Sequence, residues 1–389
     1  MKEYPEYHTE RFGAEAVAWA GALLDRIVRK EEKVVDRSRG KIPYRAADGR
    51  FDDWSDRRWW WTNGFWGGIL WELYDRERRS GRDDEGMKLF RTEAEALEEK
   101  LDADLMEYGW LDHDNGFKWL LTAVADYKLT GAEASRNRAL LAAGQLAGRF
   151  NLNAGLFRAW NDEGDGSNAG IAIIDCMMNL PLLYWASKEL KDPRFAALAM
   201  RHADTAMKAF VREDGSVNHI VVFDPETGRL LGTRGGQGLK EGSSWTRGQA
   251  WAIYGFAQSY RYTGRKEYLE TAGRVADYFI GQIPESGHVP VDFWQPEDIS
   301  WEDSTAAAIA ACGLLELTAL AGDGYEVYRE AALRLLKTIE RDRLNLEEGA
   351  DELLEKCTAA YHDEEHDYPI IYGDYYYIEA LRKLERAGE

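Results

Sequence analysis

The chain has 389 residues, 45% of them hydrophobic, and a formal net charge of −20. So large an excess of acidic residues argues against a nucleic-acid partner, because nucleic acid requires a basic surface. No apolar run approaches the roughly 18 residues of a membrane span, and the first residues do not have the pattern of a secretory signal. We therefore expect a cytoplasmic protein with no nucleic-acid or membrane partner.

The cysteine and proline contents bear on compartment and domain number. Cys176, Cys312 and Cys357 are an odd number of cysteines in a long chain and do not suggest a disulfide framework, which agrees with a reducing compartment. Only 9 prolines occur, and no Ser-, Pro- or Gly-rich linker divides the sequence. We predict a single domain over residues 1–389.

Helical periodicity dominates the chain. Apolar residues recur at a spacing near 3.6 in segments that begin at Ala14, Arg136 and Thr305, and the clearest strand is "HIVVFD" from His219. Short turn phrases separate the helices, with Gly or Lys-Asp ending one helix and polar residues beginning the next. These phrases are "SGRDDEGMKLF" at Ser80, "TGAEASRNRAL" at Thr130, "KDPRFAALAM" at Lys191, "TGRKEYLETA" at Thr263 and "AGDGYEVYREAA" at Ala321.

The helices on the two sides of each turn differ in character. The helix before the turn is apolar nearly all round, as in "TRGQAWAIYGFAQSYRYTG", and the helix after it is amphipathic and charged. A helix that is apolar all round is buried, whereas an amphipathic helix faces water. About six such pairs predict an all-α fold, an (α/α)6 barrel with inner and outer rings of helices. A flat solenoid is the structural alternative.

The segments that lead into the inner helices carry the candidate functional residues. Each combines aromatic side chains with a carboxylate, an arginine or a polar amide, and with glycines. They are "WWWTNGFWGG" (59–68), "WLDHDNGFKW" (110–119), "NAGIAIIDCMMNLP" (168–181), "EGSSWTRGQAW" (241–251) and "WEDSTAAAIAACG" (301–313). In a closed ring these entries open on one face. Tryptophans at such a mouth suit stacking on sugar rings, bases or cations, although any single one could be a packing residue.

Four charged residues stand out among these segments. Asp175 interrupts the apolar run "IAIIDCMMNLPLL", so it must be paired or have a raised pKa, the environment of a general acid. Its structural alternative is a hydrogen-bonded core residue. Asp112 and Asp114 flank His113 and could tune Asp175, or could simply form a turn. Arg247 is the natural cation for an anionic ligand, with a structural salt bridge as the alternative.

One metal-like spacing is disfavoured. "HDEEH" at 362–366 has the histidine spacing of a zinc helix but carries Asp in its second place and lies beside a Tyr-Pro pair. We therefore predict no metal site there.

In combination, the motifs identify a family resemblance. "TNGFWGGILWELY", "LDHDNGF", "IIDCMMNLPLLYWAS", "HIVVFDPETG", "GSSWTRGQAWAIYGFA", "DSTAAAIAACGLLEL" and "GDYYYIEALRKL" resemble the unsaturated glucuronyl hydrolases of glycoside hydrolase family 88, in order from Asp53 to Leu384. The resemblance implies an (α/α)6 barrel, no metal or cofactor, and an oligosaccharide substrate. That substrate carries a 4-deoxy-4,5-unsaturated uronic acid at its non-reducing end. Related unsaturated rhamnogalacturonyl hydrolases share the barrel, but "SSWTRGQAW" favours the glucuronyl group.

The resemblance also implies residue roles. Asp175 matches the catalytic acid and base, and Asp114 matches the second essential aspartate, with Asp112 left open as an alternative because one residue is missing before the motif. Substrate contacts are implied for Trp61, His113, His219, Gln237, Arg247 and Trp251. The implied chemistry is hydration of the vinyl ether, in which Asp114 keeps Asp175 protonated by like-charge repulsion and Arg247 pairs with the uronate.

Some alternatives remain open at this stage. Another (α/α)6 sugar enzyme, such as an ordinary glycosidase or an epimerase, would share the barrel, and a non-catalytic sugar-binding protein would keep the tryptophans without Asp175. The acidic segment "YHDEEHDYPIIY" replaces the hydroxyl and basic residues typical of relatives that accept sulfated sugars, which predicts that sulfate is disfavoured. We expect a monomer or a homodimer.

Overall fold

The structure is a computed structural model that describes residues 9–162, 164 and 166–387. The remaining positions of the predicted 1–389 domain lie outside the described residues. The α-helices of the described part are, in chain order, α1 (Thr9–Phe12), α2 (Ala14–Arg37), α3 (Phe65–Arg79), α4 (Glu85–Lys100), α5 (Asn115–Trp119), α6 (Ala123–Thr130), α7 (Glu133–Gly148), α8 (Leu180–Leu190), α9 (Arg194–Ala209), α10 (Thr246–Thr263), α11 (Lys266–Gln282), α12 (Ser304–Leu320), α13 (Glu326–Asp342) and α14 (Ile371–Arg386).

The long helices form two concentric rings. Each inner helix packs on one outer helix: α3 on α4, α6 on α7, α8 on α9, α10 on α11, α12 on α13, and α14 on α2. The inner helices also pack on one another, and α14 returns to α3, which closes the ring. The closed arrangement confirms the predicted (α/α)6 barrel and contradicts a flat solenoid. No helix in the described part of the chain is long and apolar enough to cross a bilayer.

The two rings differ as the sequence pattern requires. Helix α12 is built from small apolar residues and is buried from Ser304 to Ala319, whereas α13 buries only one stripe of its surface. The small residues also allow close approach within the inner ring. A Cβ at Gly313 would lie 2.8 Å from the Ile253 side chain and 2.9 Å from the backbone nitrogen of Tyr254 on α10. Glycine is therefore required where α10 and α12 cross.

Three of the five predicted turn phrases end inner helices in a left-handed conformation. Gly131 and Gly264 follow α6 and α10 with φ of 79° and 70°, and Lys191 follows α8 with φ of 54°. Each of these residues donates its backbone N–H to a carbonyl of the last helical turn, which satisfies an end group that the helix leaves open. The chain then reverses into the outer helix of the same hairpin.

Short strands lie in the loops rather than in the rings. They are β1 (Ala46–Ala47), β2 (Arg50–Phe51), β3 (Phe150–Asn151), β4 (Leu156–Phe157), β5 (Ile171–Ile173), β6 (Ile220–Phe223) and β7 (Leu230–Arg234). Strands β5, β6 and β7 form an antiparallel sheet in that order, with Ile173 opposite Ile220. The predicted strand at His219 is therefore present, beginning one residue later. This sheet fixes the position of the segment that carries Asp175.

Candidate active site

Asp175 and His219 are brought together by the β5–β6 pair. Asp175 lies in a 3₁₀ helix, Ile174–Met178, that directly follows β5, and His219 directly precedes β6. Because the strands are antiparallel, the end of one lies beside the start of the other, and Ile174 N–H donates to the His219 carbonyl at 3.1 Å. The His219 Nε2 atom lies 3.5 Å from Asp175 Oδ1, and the Asp175 side chain is 13% exposed.

The imidazole of His219 is oriented by its other nitrogen. Nδ1 accepts the backbone N–H of Gln237 at 3.0 Å, so the ring proton belongs on Nε2, which faces Asp175. The ring also packs against Trp245, with 4.3 Å between centroids. His219 is thereby held as a donor toward the Asp175 carboxylate.

Asp114 is held close to Asp175 by Asn179. The Asn179 Nδ2 atom donates to Asp114 Oδ1 at 3.1 Å and lies 3.5 Å from the Asp175 backbone carbonyl. Its Oδ1 accepts the Phe117 N–H at 2.9 Å, which fixes the direction of the amide. A Cβ at Gly116 would lie 2.4 Å from Asn179 Cα, so only glycine permits this approach. The sequence reasoning missed Asn179, although a polar amide four residues after Asp175 in the same apolar run was a usable signal.

Asp175 is stabilised as a carboxylate. Burial acts to raise its pKa, yet the pKa lies below the ordinary value because the hydrogen bond from His219 and the positive charge of Arg247 outweigh burial. Asp175 is therefore ionised at neutral pH.

Asp114 has the opposite behaviour. Burial raises the pKa of Asp114 well above its ordinary value, and the negative charges of Asp112 and Asp175 raise it further. The hydrogen bond from Asn179 and the charge of Lys118 act in the other direction but are weaker. Asp114 is therefore the carboxyl of the pair that more readily holds a proton.

These pKa directions differ from one expectation. The sequence predicted that Asp114 keeps Asp175 protonated, whereas the pKa directions make Asp175 the ionised member of the pair, and which carboxyl donates a proton to the substrate stays a prediction. The physical reason is the position of His219: its Nε2–H faces Asp175 and not Asp114. Two carboxyls with separated pKa values can still act as an acid and a base in one site.

His113 supports Asp114 from within the core. Its Nε2 atom lies 3.3 Å from Asp114 Oδ1, and its side chain is fully buried. Burial lowers the pKa of His113 to about 4, so the ring is neutral at neutral pH. The predicted contact between His113 and a substrate stays a prediction, and its position favours a role behind the carboxyl.

Arg247 is part of a buried network. Arg247 is 1% exposed. Its Nη1 atom donates to the Asp303 carboxylate and, at 2.6 Å, to the Thr358 carbonyl. Nη2 donates to the Ala359 carbonyl. These bonds use three of the five N–H groups of a guanidinium, which leaves others for a uronate. The salt bridge weighed as an alternative is thus present, and a role in binding the substrate anion stays a prediction.

The predicted aromatic contacts occupy different depths. Trp61 is half-buried, with its ring 4.8 Å from Tyr372 and 5.3 Å from Phe117. Trp251 is fully buried beneath Phe117, 5.2 Å away, and its indole N–H has no hydrogen-bond partner among the described residues. Trp61 is therefore placed to meet a ligand, whereas Trp251 lies deeper, and contact of either ring with a sugar stays a prediction.

The segment that contains Thr358 and Ala359, whose carbonyls accept hydrogen bonds from Arg247, is also bonded to Gln237 and closes one side of the site. The side-chain amide of Gln237 donates to the Ala359 carbonyl at 2.8 Å, and Tyr361 N–H donates to the Gln237 carbonyl at 2.9 Å. The histidines of the "HDEEH" segment have structural roles here. His366 stacks on Trp301 with 3.6 Å between ring centroids, and His362 lies 2.8 Å from the Leu239 carbonyl.

Comparison with known proteins agrees with this geometry. The chain matches Glycosyl Hydrolase Family 88 over residues 34–388. It is 40% identical over 341 residues to an unsaturated glucuronyl hydrolase of Bacillus sp. (strain GL1), across 84% of this chain and 86% of that protein. It is 33% identical over 334 residues to an unsaturated chondroitin disaccharide hydrolase of Streptococcus pyogenes serotype M1, across 83% and 81% of the two chains. A solved structure of a UGL variant with dGlcA-Glc-Rha-Glc superposes with a TM-score of 0.86 at 34% identity, covering 95% of this chain and 97% of that chain. The chain therefore belongs to glycoside hydrolase family 88.

Proposed function

We propose that this glycoside hydrolase removes a 4-deoxy-4,5-unsaturated uronic acid from the non-reducing end of oligosaccharides that an eliminative cleavage has produced. The observation that carries the proposal is the pair formed by Asp175 and Asp114, two carboxyls with opposite pKa shifts in one site. The relatives act on unsaturated substrates by name, which supports the same class here. The barrel would act as one catalytic domain.

The first step is proton transfer to the double bond. The C4=C5 bond and the ring oxygen form a vinyl ether, so a proton added at C4 leaves positive charge shared by C5 and the ring oxygen. Binding brings the negative uronate close to Asp175 and removes water from it, and both effects raise its pKa. Asp175 then carries the proton that it donates.

The second step adds water. The Asp175 carboxylate takes a proton from a water molecule whose oxygen bonds to C5, and it is returned to its acid form. The resulting hemiketal opens to a ketone at C5, which leaves C1 as a hemiacetal that releases the rest of the oligosaccharide as an alcohol. One carboxyl serves both halves, so the carboxylate spacing of ordinary glycosidases need not apply.

The surrounding residues would position these groups. The Nε2–H of His219 stabilises the carboxylate form of Asp175 between the two steps. Protonated Asp114 can donate its proton to a sugar oxygen while Asn179 holds its other oxygen. Trp61 and Gln237 contact the sugar from the sides, His113 and Trp251 support it from below, and Arg247 supplies positive charge for the uronate.

The proposal includes a cytoplasmic location. The three cysteines are buried free thiols, which supports a reducing cytoplasm.

In the 361–372 segment, Glu365 pairs with Arg45 and Asp367 with Lys356, while Asp363 and Glu364 are exposed. The remaining negative charge would disfavour sulfate on the neighbouring sugar. A several-fold lower kcat/KM for a sulfated than for an unsulfated unsaturated disaccharide is expected, and equal values would contradict this part of the proposal.

The reaction type is tested with a matched pair of disaccharides in heavy water. The protein should consume an unsaturated disaccharide, read as loss of the ultraviolet absorbance of the conjugated double bond, and should leave the saturated analogue intact. The early product should carry one deuteron at C4, because that proton comes from solvent through Asp175. Cleavage of both disaccharides, or a product without deuterium at C4, would instead indicate direct displacement at C1.

A further inference from the structure

Beside the site, large aromatic side chains are exposed or half-exposed. Trp59, Tyr108 and Trp110, here called the aromatic rim, belong to two segments that meet, with 5.8 Å between the ring centroids of Trp59 and Trp110. Trp59 is 44% exposed and Tyr108 is 76% exposed, and neighbouring Met106 is 84% exposed. Large apolar groups collected in this way on a surface usually mark a binding site.

The aromatic rim is continuous with the residues of the proposed site. Trp59 is two residues before Trp61, whose ring contacts Phe117, and Trp110 is three residues before His113. Both segments therefore run from the rim into the site within a few residues. The rim therefore adjoins the residues of the proposed site along both segments.

Packing explains the neighbouring tryptophans but not the rim. Trp60 packs inward, 5.6 Å from Tyr44 and 5.1 Å from Trp54 between centroids. Trp59 instead directs nearly half of its surface to solvent. Burial of an aromatic side chain stabilises a fold, and exposure forgoes that gain.

The segment behind the rim is held in place. The Asn161 side chain donates to the carbonyls of Gly109 and Leu111, each at 3.0 Å. Arg149 Nη1 also donates to the Leu111 carbonyl, at 2.9 Å. The 3₁₀ helix Tyr108–Trp110 is thus fixed between these bonds, so the rim presents its rings without a large ordering cost on binding.

We propose that the aromatic rim binds the sugar rings of the substrate beyond its second sugar, so that the protein prefers oligosaccharides longer than a disaccharide. This inference rests on the proposed function. The unsaturated sugar is the terminal unit and must reach Asp175, so the rest of the chain leads outward through the mouth. There the flat rings of Trp59 and Trp110 can stack on the C–H faces of pyranose rings, a contact that requires no charge on the ligand.

The test compares an unsaturated disaccharide with an unsaturated tetrasaccharide of the same repeat. Wild type should show a lower KM for the tetrasaccharide. In Trp59→Ala combined with Trp110→Ala, the KM for the tetrasaccharide should rise about tenfold with kcat unchanged, and the KM for the disaccharide should not change. Trp59→Phe combined with Trp110→Phe should recover most of the preference, because a flat ring remains.

The matched control is Trp19→Ala. Trp19 lies on the outer helix α2, where its indole N–H donates to Glu340 at 2.8 Å, and its loss should leave the KM of both substrates unchanged. Equal KM values for the two lengths in wild type, or a rise for both lengths in the alanine double variant, would overturn the inference. The inference would also be overturned if the alanine double variant changed only in its sedimentation coefficient, because the rim would then be a contact between two copies of the chain. Wild type that acts on neither length would contradict the proposed function itself.

Discussion

The two ends of the inner ring use charged residues in opposite ways. Away from the site, where α3 and α14 end, carboxylates and guanidinium groups form a dense cluster whose members are Glu72, Asp75, Arg78, Arg79, Arg382 and Arg386. Asp75 alone faces four arginines. At the site end, Asp175 and Asp114 face a histidine or an amide at 3.1–3.5 Å.

The difference shows which end is built for stability and which for chemistry. Both ring nitrogens of His113 are buried with no hydrogen-bond partner among the described residues, and the contact of His219 Nε2 with Asp175 Oδ1 is long, at 3.5 Å. Leaving buried polar atoms unpaired costs free energy, and proteins tolerate it mainly where a ligand completes the bonds. The carboxylates of the cluster at the other end already have arginine partners, so that cluster stabilises the fold.

The largest expected effect of a single change is on turnover at the site end. Asp175→Asn keeps the size of the side chain but removes the group that carries the proton, so kcat should fall about 10³-fold or more. The midpoint of thermal unfolding should change little, and binding of the unsaturated disaccharide should persist. Steady-state kinetics, calorimetry and a thermal scan measure the three quantities. Full turnover in this variant would exclude Asp175 as the proton carrier.

One buried ion pair at the site end, between Arg247 and Asp303, should contribute stability as the charged cluster at the opposite end does. In Asp303→Asn the Arg247 guanidinium remains buried without its carboxylate, and the free energy of unfolding should fall by about 3–5 kcal/mol. Glu95→Gln, which removes an exposed pair with Arg91 on α4, is the control and should cost less than about 1 kcal/mol. Urea titrations measure both. A loss in Asp303→Asn no larger than in the control would show that the pair contributes no stability.

At the opposite end, the same carboxylate-to-amide change should spare activity. Asp75→Asn should leave kcat unchanged and lower the free energy of unfolding by about 2 kcal/mol, because Arg382 is buried while Arg78 and Arg79 are half exposed. Burial acts to raise the pKa of Asp75, but the charges of its arginines lower it below the ordinary value.

The lowered pKa of Asp75 gives this loss of stability a pH dependence. A carboxyl with a lowered folded pKa stabilises the protein fully above its unfolded value of about 3.9 and loses that contribution as pH falls through the folded value. Unfolding free energies of wild type and Asp75→Asn should therefore differ at neutral pH and converge below about pH 4. Curves that remain parallel into acid would show that the loss does not come from the charge of Asp75.

The sequence predicted the rings better than it predicted the loops. Long segments with a 3.6-residue period and left-handed stops such as Gly131 and Gly264 are local signals, so α6 and α10 and their reversals were accessible. Strands β5 and β7 are three and five residues long and were not predicted. Their pairing with β6 depends on contacts between segments far apart in the chain, which no short window contains.

Some candidate site residues were accessible from the sequence, but their electrostatics were not. Asp175 and Asp114 stood out as carboxylates in apolar or motif-bearing segments, and His219 was implied by the family resemblance. Which carboxyl holds the proton depends on the direction of the His219 Nε2–H, which the backbone of Gln237 sets. The salt bridge of Arg247 with Asp303 joins residues that are 56 positions apart and carries no local signature.

The smallest expected effect is a change in pH profile that sharpens the roles of the three aspartates. The alkaline limb of kcat/KM should report loss of the proton held by Asp114, whose pKa is raised by burial and then by the negative charges of Asp112 and Asp175. Asp112→Asn removes one of those charges but keeps an oxygen that can accept the Asp114 N–H, now bonded at 2.8 Å. The pKa of Asp114 should fall, so the alkaline limb should move to lower pH while the acid limb stays in place. If turnover instead fell by a factor within the range of about 10²–10⁴ that is typical of an acid–base group, the second catalytic role would belong to Asp112.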